Sequence, residues 1–233
     1  MYILYTLPAT LTSTPVTFGV YDMPDTSMRR GPAYRVHTER LVLRCWTPDD
    51  VFLIQTAIAE NLEHLRAWLP WALYEPEELA DKIERLRRYR GDFDLDRDYV
   101  YGIFNRDETK VLGSIGLHTR LGRGVREIGY WVHKDHTNQG LATEVSAALT
   151  QVAMVIDQMQ RVEIHCDPCN VASAAVPRKL GFTHEATLRY RTVSPAGELR
   201  DTMVWTLLAA EYLGSPSASR TIEAYDACGQ RLI

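Results

Sequence analysis

The stretch that decides the fold reads Glu127-Ile128-Gly129-Tyr130-Trp131-Val132, then residues 133–139, then Gly140-Leu141-Ala142-Thr143-Glu144. Its first part has the pattern of a β-strand, and a helical pattern begins at about Gly140 and continues to about residue 159. The polar loop between them would leave free backbone N–H groups at the positive end of a helix dipole, where phosphate binds without a basic side chain. Gly140 permits a close approach of the backbone, although an ordinary strand–loop–helix crossover explains this segment alone equally well.

The segments around this stretch predict a mixed α+β domain. Upstream, Thr47 followed by Pro48 is typical of a helix start, and downstream Gly181 is placed to end a short helix. Neither a G-x-G-x-x-G nor a P-loop motif is present, so the Rossmann and P-loop folds lack their fingerprints. The predicted strands are 35–44, 99–104, 110–118, 126–132, 161–167, 182–192 and 201–207, and the predicted helices are 48–61, 62–71, 76–90, 140–159 and 170–180.

Composition and charge describe an ordinary globular chain. The 233 residues are 45% hydrophobic and 24% charged, and the net charge is −4. These values exclude disorder, a coiled coil or a collagen helix as descriptions of the whole chain. The acidic balance gives no reason to expect nucleic acid or an anionic membrane as a partner.

Both ends of the chain read as flanks of one domain, which is predicted over 34–213. Residues 1–33 read as an N-terminal extension without the basic region and cleavage site of a signal peptide. No stretch approaches the roughly 18 apolar residues that span a bilayer, so we expect a cytoplasmic protein. Residues 214–233 read as a polar C-terminal tail with a Ser/Pro hinge.

Two of the four cysteines offer a competing interpretation. Cys166 and Cys169 form a C-x-x-C motif between a predicted strand and a predicted helix, as in thioredoxin-type redox pairs. A zinc site needs four ligands, and no second C-x-x-C or paired histidine follows at zinc-finger spacing, so we expect no metal. Because the motif is short and common, a thiol redox protein is an alternative rather than the leading hypothesis.

Several motifs together resemble the GNAT superfamily of acyl-CoA-dependent N-acyltransferases. Within it, the resemblance is to the branch of Rim enzymes, which acetylate the N-termini of ribosomal proteins. The motifs occur in the family's order over about residues 34–213, which makes the set more specific than any single member. They are a first-strand motif at 38–44, an aromatic helix motif at 64–71, a pyrophosphate-binding motif at 127–132 and 138–144, an N-x-x-S element at 170–173 and a K-x-G-F element at 179–182.

The resemblance implies a mixed, mostly antiparallel central sheet with helices on both faces. It also implies an N-acyltransferase that moves an acetyl group from acetyl-CoA to a primary amine by direct attack, the amine being a protein N-terminus or a small molecule. The family pattern [RQ]-x-x-G-x-[GA] begins here with Thr137, so a long side chain that could reach a phosphate oxygen is missing. The implied contacts of acetyl-CoA are Trp131, Val132, Thr137, Asn138, Gln139, Gly140, Leu141, Ala142, Thr143 and Asn170, with N–H groups near Trp131 and Val132 polarising the thioester carbonyl.

Four residues are candidates for the chemistry. By resemblance, Ser173 gives a proton to the departing thiolate, and Asn170 precedes it at the helix start, where either residue could equally serve the helix itself. Glu127 lies on the strand nearest the expected site and is the candidate general base, acting directly or through a water molecule. Its alternative role is that of a solvated or salt-bridged strand residue. His165 is the second candidate base, and water alone could carry the proton away.

The acceptor side is predicted from an aromatic and an acidic cluster. Trp68, Trp71 and Tyr74 are expected to bind the acceptor, although such aromatic residues pack cores equally often. The acidic residues from 75 to 81 could attract a cationic acceptor, or simply begin a helix. Relatives in this branch are often dimers, so a homodimer is an expected assembly that the sequence leaves open.

A third function stays open beside the transferase and the redox protein: a non-catalytic acyl-CoA-binding regulatory module on the same fold. Binding of acetyl-CoA would separate the transferase and the module from the redox protein. Release of free CoA thiol in the presence of amines would separate the transferase from the module.

Overall fold

The computed structural model describes residues 31–194 and 196–233, so most of the predicted N-terminal extension lies outside the described residues. Within these ranges the chain forms one sheet of nine strands and five α-helices. The strands are β1 (Arg35–His37), β2 (Leu41–Cys45), β3 (Tyr99–Asn105), β4 (Val111–His118), β5 (Val125–Val132), β6 (Arg161–Cys166), β7 (Thr183–Val193), β8 (Leu199–Leu208) and β9 (Glu223–Tyr225). The helices are α1 (Val51–Arg66), α2 (Leu79–Asp94), α3 (Leu141–Gln151), α4 (Val171–Lys179) and α5 (Ala209–Tyr212).

The sheet is mostly antiparallel, with the order β7-β8-β6-β5-β4-β3-β2-β1-β9. Strands β5 and β6 are parallel, and every other neighbouring pair in the described sheet is antiparallel. Helix α3 supplies the crossover that two parallel neighbours require. The predicted fold class, a mixed and mostly antiparallel sheet with helices, is confirmed.

Strands β5 and β6 separate part-way along their length. Their pairing runs from Val125 opposite Arg161 to Ile128 opposite Ile164. Strand β5 then continues for four more residues, to Val132, outside this register. The sheet therefore opens at the carboxyl ends of its two parallel strands, next to the start of α3.

Helices cover both faces of the sheet. On one face, α1 and α2 pack over a core that includes Trp46 and Phe104. On the other face, Leu149 of α3 shares a second core with Ile128 of β5. Because successive side chains of a strand point to opposite faces, Glu127 lies on the α1 face. The opening between β5 and β6 therefore connects the α3 face with the α1 face.

The helices before the sheet meander differ from the sequence prediction. The helices predicted over 48–61 and 62–71 are in fact the single helix α1, followed by a short 3-10 helix, Pro70–Tyr74. Ile58 and Leu65 are both buried, so the apolar face of the helix continues past residue 62 without a break. The prediction of a separate aromatic helix was therefore wrong, and its aromatic residues lie around the connection to α2.

The C-terminal segment adds an edge strand that the sequence pattern did not predict. Strand β9 pairs antiparallel with β1, from Glu223 opposite His37 to Tyr225 opposite Arg35. Ile222 is 6% exposed and contributes to the α3 core. The described part of the segment after residue 213 therefore packs on the domain, and where the domain ends stays a prediction.

Candidate active site

The loop between β5 and α3 has the form of an anion-binding cradle. A 3-10 turn, Lys134–His136, leads to Asn138 and Gly140, which have positive φ angles of 58° and 79°. The Thr137 hydroxyl donates to the Lys134 carbonyl at 2.8 Å, so this side chain turns back into the loop. The first N–H groups of α3 lack intrahelical partners, as those of any helix do, and carry the positive end of its dipole. The loop therefore offers backbone N–H groups rather than a long side chain, and its binding of phosphate stays a prediction.

Two residues of the turn between β1 and β2 brace the start of α3 through Glu144. The Thr38 hydroxyl donates to Glu144 Oε1 at 2.6 Å, and Arg40 Nε donates to Glu144 Oε2 at 2.7 Å. Arg40 Nη1 also donates to the Gln139 carbonyl at 3.1 Å. A guanidinium thus lies beside the cradle even though Thr137 provides no long side chain. Sequence reasoning missed this brace because its partners are 104 residues apart.

The backbone groups of β5 point alternately to β4 and to β6, and one N–H group therefore faces the opening. The His133 N–H donates to the Leu112 carbonyl at 2.8 Å, on the β4 side. Alternate residues of an antiparallel strand turn their backbone groups to the same neighbour, so Trp131 also faces β4. The N–H of Val132 then faces β6, beyond the last register pair of the two strands. Of the two residues predicted near the thioester carbonyl, Val132 is the one with an N–H in the opening.

Asn170 and Ser173 lie together at the start of α4. The Asn170 side-chain oxygen accepts the Ser173 N–H at 3.0 Å and so caps the helix. The Tyr130 hydroxyl of β5 is 3.2 Å from the Ser173 hydroxyl oxygen. Burial raises the pKa of Tyr130, so this phenol stays protonated and can donate to Ser173. The contact between Tyr130 and Ser173 fixes the Ser173 hydroxyl next to β5.

The C-x-x-C motif does not have the properties of a redox pair. Cys166 is buried, Cys169 is exposed, and both are free thiols. Burial raises the pKa of Cys166 to about 11, which keeps its thiol protonated. Thiol–disulfide chemistry needs a thiolate, so this arrangement argues against the redox alternative.

Glu127 belongs to a row of charged side chains on the α1 face of the sheet. It is 6% exposed, and Arg120 holds both carboxylate oxygens, with Nε donating to Oε2 at 2.7 Å. Burial alone would raise the pKa of Glu127, but the hydrogen bonds and the charge of Arg120 outweigh burial and lower it. A carboxylate with a lowered pKa is a weak proton acceptor. The structure therefore presents Glu127 as a fixed negative charge.

His165, the second candidate base, lies between two carboxylates. Its Nε2 is 2.6 Å from Glu163 Oε2, and its Nδ1 is 3.9 Å from Glu127 Oε1. Arg161 also pairs with Glu163 at 2.8 Å. The Nε2 atom of His165 is therefore bound to Glu163, while its Nδ1 atom has the Glu127 carboxylate as a more distant neighbour.

His118 of β4 completes this charged row and was missed by the sequence analysis. It lies opposite Glu127 in the β4–β5 register. Its Nδ1 is 2.8 Å from Asp98 Oδ2. The only sequence signal for this cluster is the register of the meander, and a one-residue shift of that register would move His118 to the other face.

The three aromatic residues predicted to bind the acceptor have different environments. Trp68 is half-buried, with the guanidinium carbon of Arg200 5.6 Å from its ring centroid. Trp71 packs against the α1 core, whereas Tyr74 is 83% exposed. Arg200 also pairs with Asp167 at 3.0 Å, at the end of β6. Of the three, Trp68 therefore has a direct contact with residues near the open ends of the strands.

Metal ligands and membrane spans were searched over the described residues. Within residues 31–194 and 196–233, no group of three or more His, Cys, Asp or Glu side chains could hold a metal ion. None of the helices in those ranges combines the length and apolar character needed to cross a bilayer.

A sheet that opens beside a helix start can hold an anionic group at the exposed N–H groups of that start. The chain matches the acetyltransferase (GNAT) domain family over residues 40–183 and belongs to that family. The N-acetyltransferase YoaA of Bacillus subtilis (strain 168) is 28% identical over 174 residues, which cover 74% of this chain and 96% of that protein. The ribosomal-protein-serine acetyltransferase of Escherichia coli (strain K12) is 26% identical over 155 residues, covering 65% and 84%.

Solved structures share the fold. Mycobacterium smegmatis RimJ in complex with CoA-disulfide superposes with a TM-score of 0.71 at 22% identity, covering 79% of this chain and 91% of that one. The protein is an acyl-CoA-dependent N-acetyltransferase of the GNAT family, with a Rim-like fold, and acetyl-CoA is its acetyl donor. The cradle fits this donor, because its backbone N–H groups suit the donor's phosphates. The predicted family, enzyme class and co-substrate are confirmed.

Proposed function

We propose that this enzyme acetylates the α-amino group of a protein N-terminus by direct attack of the amine on bound acetyl-CoA. The observation that supports this most is the opening between β5 and β6, which joins the cradle on the α3 face to the charged row on the α1 face. A thioester in this opening would meet an amine that approaches from the α1 face. A relative that is named for acetylating a ribosomal protein supports the choice of acceptor.

In this proposal the phosphates of acetyl-CoA bind to the cradle from Thr137 to Thr143, and Arg40 adds positive charge beside it. The N–H of Val132 donates to the thioester oxygen and stabilises the negative charge that develops there. Asn170 holds the start of α4, and its partner Ser173 gives its proton to the thiolate that leaves. The Tyr130 hydroxyl supports that step by donating to the Ser173 oxygen.

The acceptor amine binds on the charged row. An N-terminal α-amino group arrives as a cation, and it shares the carboxylates of Glu127 and Glu163 with Arg120 and Arg161, which pair with them in the free enzyme. Trp68 contacts the first side chain of the acceptor, while Trp71 and Tyr74 support the surface around it. A second acceptor class, a small-molecule amine, would need the same charge but a smaller surface.

The test is mass spectrometry of products from a mixed panel of peptides and small amines incubated with acetyl-CoA. The panel contains peptides with free and with blocked N-termini, so that lysine acetylation is distinguished from N-terminal acetylation. We expect an added acetyl group on the α-amino nitrogen of free peptides, with an equal amount of CoA thiol released. Products confined to lysines or to small amines would contradict the proposed acceptor, but they would not contradict the N-acetyltransferase activity.

The cysteines and the edge strand of the sheet bear on the location and the oligomeric state of the enzyme. We propose a cytoplasmic enzyme, supported by four free cysteines, two of them exposed, which suit a reducing compartment.

We propose a homodimer that uses the edge strand β7, where Leu188, Tyr190 and Val193 are exposed. Light scattering of the purified protein tests the assembly, and a monomer that persists at high concentration would contradict it.

A further inference from the structure

The imidazole of His118 lies in a notch made by two glycines. Gly116 of β4 and Gly129 of β5 are opposite each other in the register. A Cβ atom built on Gly116 would lie 2.2 Å from His118 Nε2, and one built on Gly129 would lie 3.4 Å from it. The ring therefore occupies the space above the backbone of both glycines, and a side chain at residue 116 would displace it. The sequence G-x-H on β4 opposite G on β5 builds this notch.

Asp98 fixes the ring from its other side. Asp98 Oδ2 is 2.8 Å from His118 Nδ1, and Asp98 Oδ1 accepts the Thr119 N–H at 3.2 Å. Burial alone would raise the pKa of Asp98, but its hydrogen bond with His118, the charge of His118 and the backbone N–H groups of Thr119 and Tyr99 together lower it, so Asp98 is a carboxylate. A carboxylate accepts the proton of Nδ1–H, which places the lone pair of the neutral imidazole on Nε2. The Asp98–His118 pair thus directs a proton acceptor at the two-glycine notch.

The notch lies where the sheet opens. Gly129 is the first residue of β5 beyond the last pair with β6, which is Ile128 with Ile164. On the α1 face, Gly129 stands between Glu127 and Trp131, because side chains alternate along the strand. His118 Nε2 is therefore next to the opening and beside the fixed negative charge of Glu127. An amine bound by that charge would lie close to Nε2.

We propose that His118 Nε2 is the general base that removes a proton from the acceptor amine, and that Asp98 is its positioning residue. This proposal rests on the proposed direct attack of an amine on acetyl-CoA. Glu127 is held at both oxygens by Arg120, and both nitrogens of His165 face carboxylates. Glu127 is thus occupied by a guanidinium and the closer nitrogen of His165 by a carboxylate, whereas His118 Nε2 faces the two-glycine notch.

The protons and bonds balance in the following way. The acceptor arrives as an ammonium, and His118 Nε2 takes one proton from it. The amine nitrogen forms the N–C bond to the acetyl carbonyl carbon, and the C–S bond breaks with its electron pair on sulfur. The thiolate takes a proton from the Ser173 hydroxyl, which is restored by the second proton that the nitrogen loses. The products are the amide, CoA thiol and one proton, which His118 passes to solvent.

Several charged groups surround His118. Asp98 contacts the ring, Glu127 lies opposite it on β5, and Arg120 lies between these carboxylates on the α1 face. His165 of β6 interacts with Glu127, and Tyr89 of α2 is within electrostatic range of Asp98. Two carboxylates and one guanidinium therefore lie around the His118 imidazole.

The first experiment compares His118→Gln and Asp98→Asn with the wild type in steady-state kinetics from acid to neutral pH. General bases contribute about 10²- to 10⁴-fold, so we expect kcat of His118→Gln to fall by about 10²-fold or more. The decrease of kcat at acid pH that we expect for the wild type should be absent in His118→Gln, because no imidazole is left to be protonated. Affinity for acetyl-CoA, measured by calorimetry, should not change. His184→Gln, which removes an exposed histidine on β7, is the matched control and should behave as the wild type.

Two further variants separate a base from a structural residue. In His118→Ala the notch is empty, and added imidazole should restore a part of kcat. Gly116→Ala keeps the histidine but displaces its ring, so it should lose activity as His118→Gln does, and the double variant should lose no more. In the protein without acetyl-CoA, nitrogen NMR should show the His118 tautomer with the proton on Nδ1, and Asp98→Asn should disturb it.

The outcomes distinguish this proposal from the proposed function. A His118→Gln variant that retains kcat would overturn the base, as would a loss of kcat that keeps the acid limb and is not rescued by imidazole. A proton on Nε2 of the neutral ring would overturn it as well. If the wild type transfers acetyl to no amine in the panel, direct attack on an amine fails, whereas the tautomer still reports the geometry of His118.

Discussion

Among single residues, Ser173 gives the most direct test of the proposed departure of CoA. In Ser173→Ala we expect kcat to fall by about 10²-fold, because the leaving thiolate loses its proton donor. The apparent KM for acetyl-CoA should stay close to the wild-type value, since the Ser173 backbone N–H still bonds to Asn170. Steady-state kinetics with acetyl-CoA as the varied substrate measures both constants. A normal kcat would assign Ser173 to helix capping alone.

Thr137 tests whether the cradle acts through its backbone. Its hydroxyl is used inside the loop, where it donates to the Lys134 carbonyl. Thr137→Arg restores a long cation at the first position of the family pattern, and an exposed ion pair adds up to about 1 kcal/mol, or about fivefold in affinity. We expect the dissociation constant of acetyl-CoA, measured by calorimetry at low salt, to fall by no more than that. A much larger gain would mean that the wild-type backbone contributes little.

Sequence reasoning at the residue scale succeeded where the determinants are local. The cradle is continuous in sequence, so a glycine and a helix start were enough to predict it. The brace from Arg40 to Glu144 and the Asp98–His118 pair join residues from separate elements. Their contacts depend on strand register and on crossover packing, and neither is encoded in a short pattern. The roles proposed for the predicted site residues stay predictions.

At the scale of elements, a buried ion cluster holds the connection between α1 and α2. Lys82 is 1% exposed, and its Nζ is 2.8 Å from both carboxylate oxygens of Glu75. Arg85 Nη2 also donates to Glu75 at 2.9 Å. Glu75 follows directly after the 3-10 helix Pro70–Tyr74, so the cluster anchors the segment that carries Trp71 and Tyr74.

Glu75→Gln should therefore destabilise the protein strongly. Removing one partner of a buried pair costs about 3–5 kcal/mol, and we expect the lower end of that range because Glu77 Oε2 remains 3.6 Å from Lys82 Nζ. Glu75→Gln/Lys82→Met removes both charges and should recover most of that loss. Urea unfolding of the two variants and the wild type gives the free energies of unfolding. Equal losses in the single and double variants would show that the charge on Lys82 is not the cause.

The same cluster gives a pH dependence with a definite sign. Burial would raise the pKa of Glu75, but the hydrogen bonds from Lys82 and Arg85 outweigh it and lower the pKa. The folded-state pKa is below the unfolded one, so the contribution of Glu75 is complete above the unfolded pKa and is lost as the pH falls through the folded one. The stability difference between wild type and Glu75→Gln should therefore shrink on acidification. A difference that is constant down to strongly acid pH would contradict this assignment.

Elements were predicted well where periodicity is strong and poorly where tertiary packing sets their ends. The meander strands β3, β4 and β5 were predicted to within one residue at each end. The boundary between α1 and the aromatic segment was misplaced because Leu65 continues the apolar face of α1. The helix predicted to run to about residue 159 ends its α-helical part at Gln151 and continues as a π-helix, Val152–Ile156. Hydrophobic spacing does not distinguish an α-helix from a single π turn.

For the whole molecule, the sheet order could not be derived from periodicity. Pattern alone predicted a mixed α+β domain, and the family resemblance supplied the mostly antiparallel sheet. Strand β9 has three residues, too few for any periodic signal, and it pairs with β1, almost the full length of the domain away. Ser217 is also tied to the domain, because its hydroxyl donates to the Leu180 carbonyl at 2.9 Å. The C-terminal segment therefore contributes to a sheet edge that local patterns do not reveal.

The sheet edge formed by β9 is connected to the cradle through β1. Strand β9 holds β1, and β1 leads into the Thr38–Arg40 turn that braces α3. Ile222→Ala, immediately before β9, should cost about 2–5 kcal/mol of unfolding free energy, because Ile222 is 6% exposed in the α3 core. Acetyl-CoA binds only the folded state, so saturation at about 100 times its dissociation constant should restore about 2.7 kcal/mol. Thermal unfolding with and without acetyl-CoA measures both effects. If β9 supports the brace, Ile222→Ala should also weaken acetyl-CoA binding, whereas an unchanged affinity with reduced stability would show that the edge and the cradle are independent.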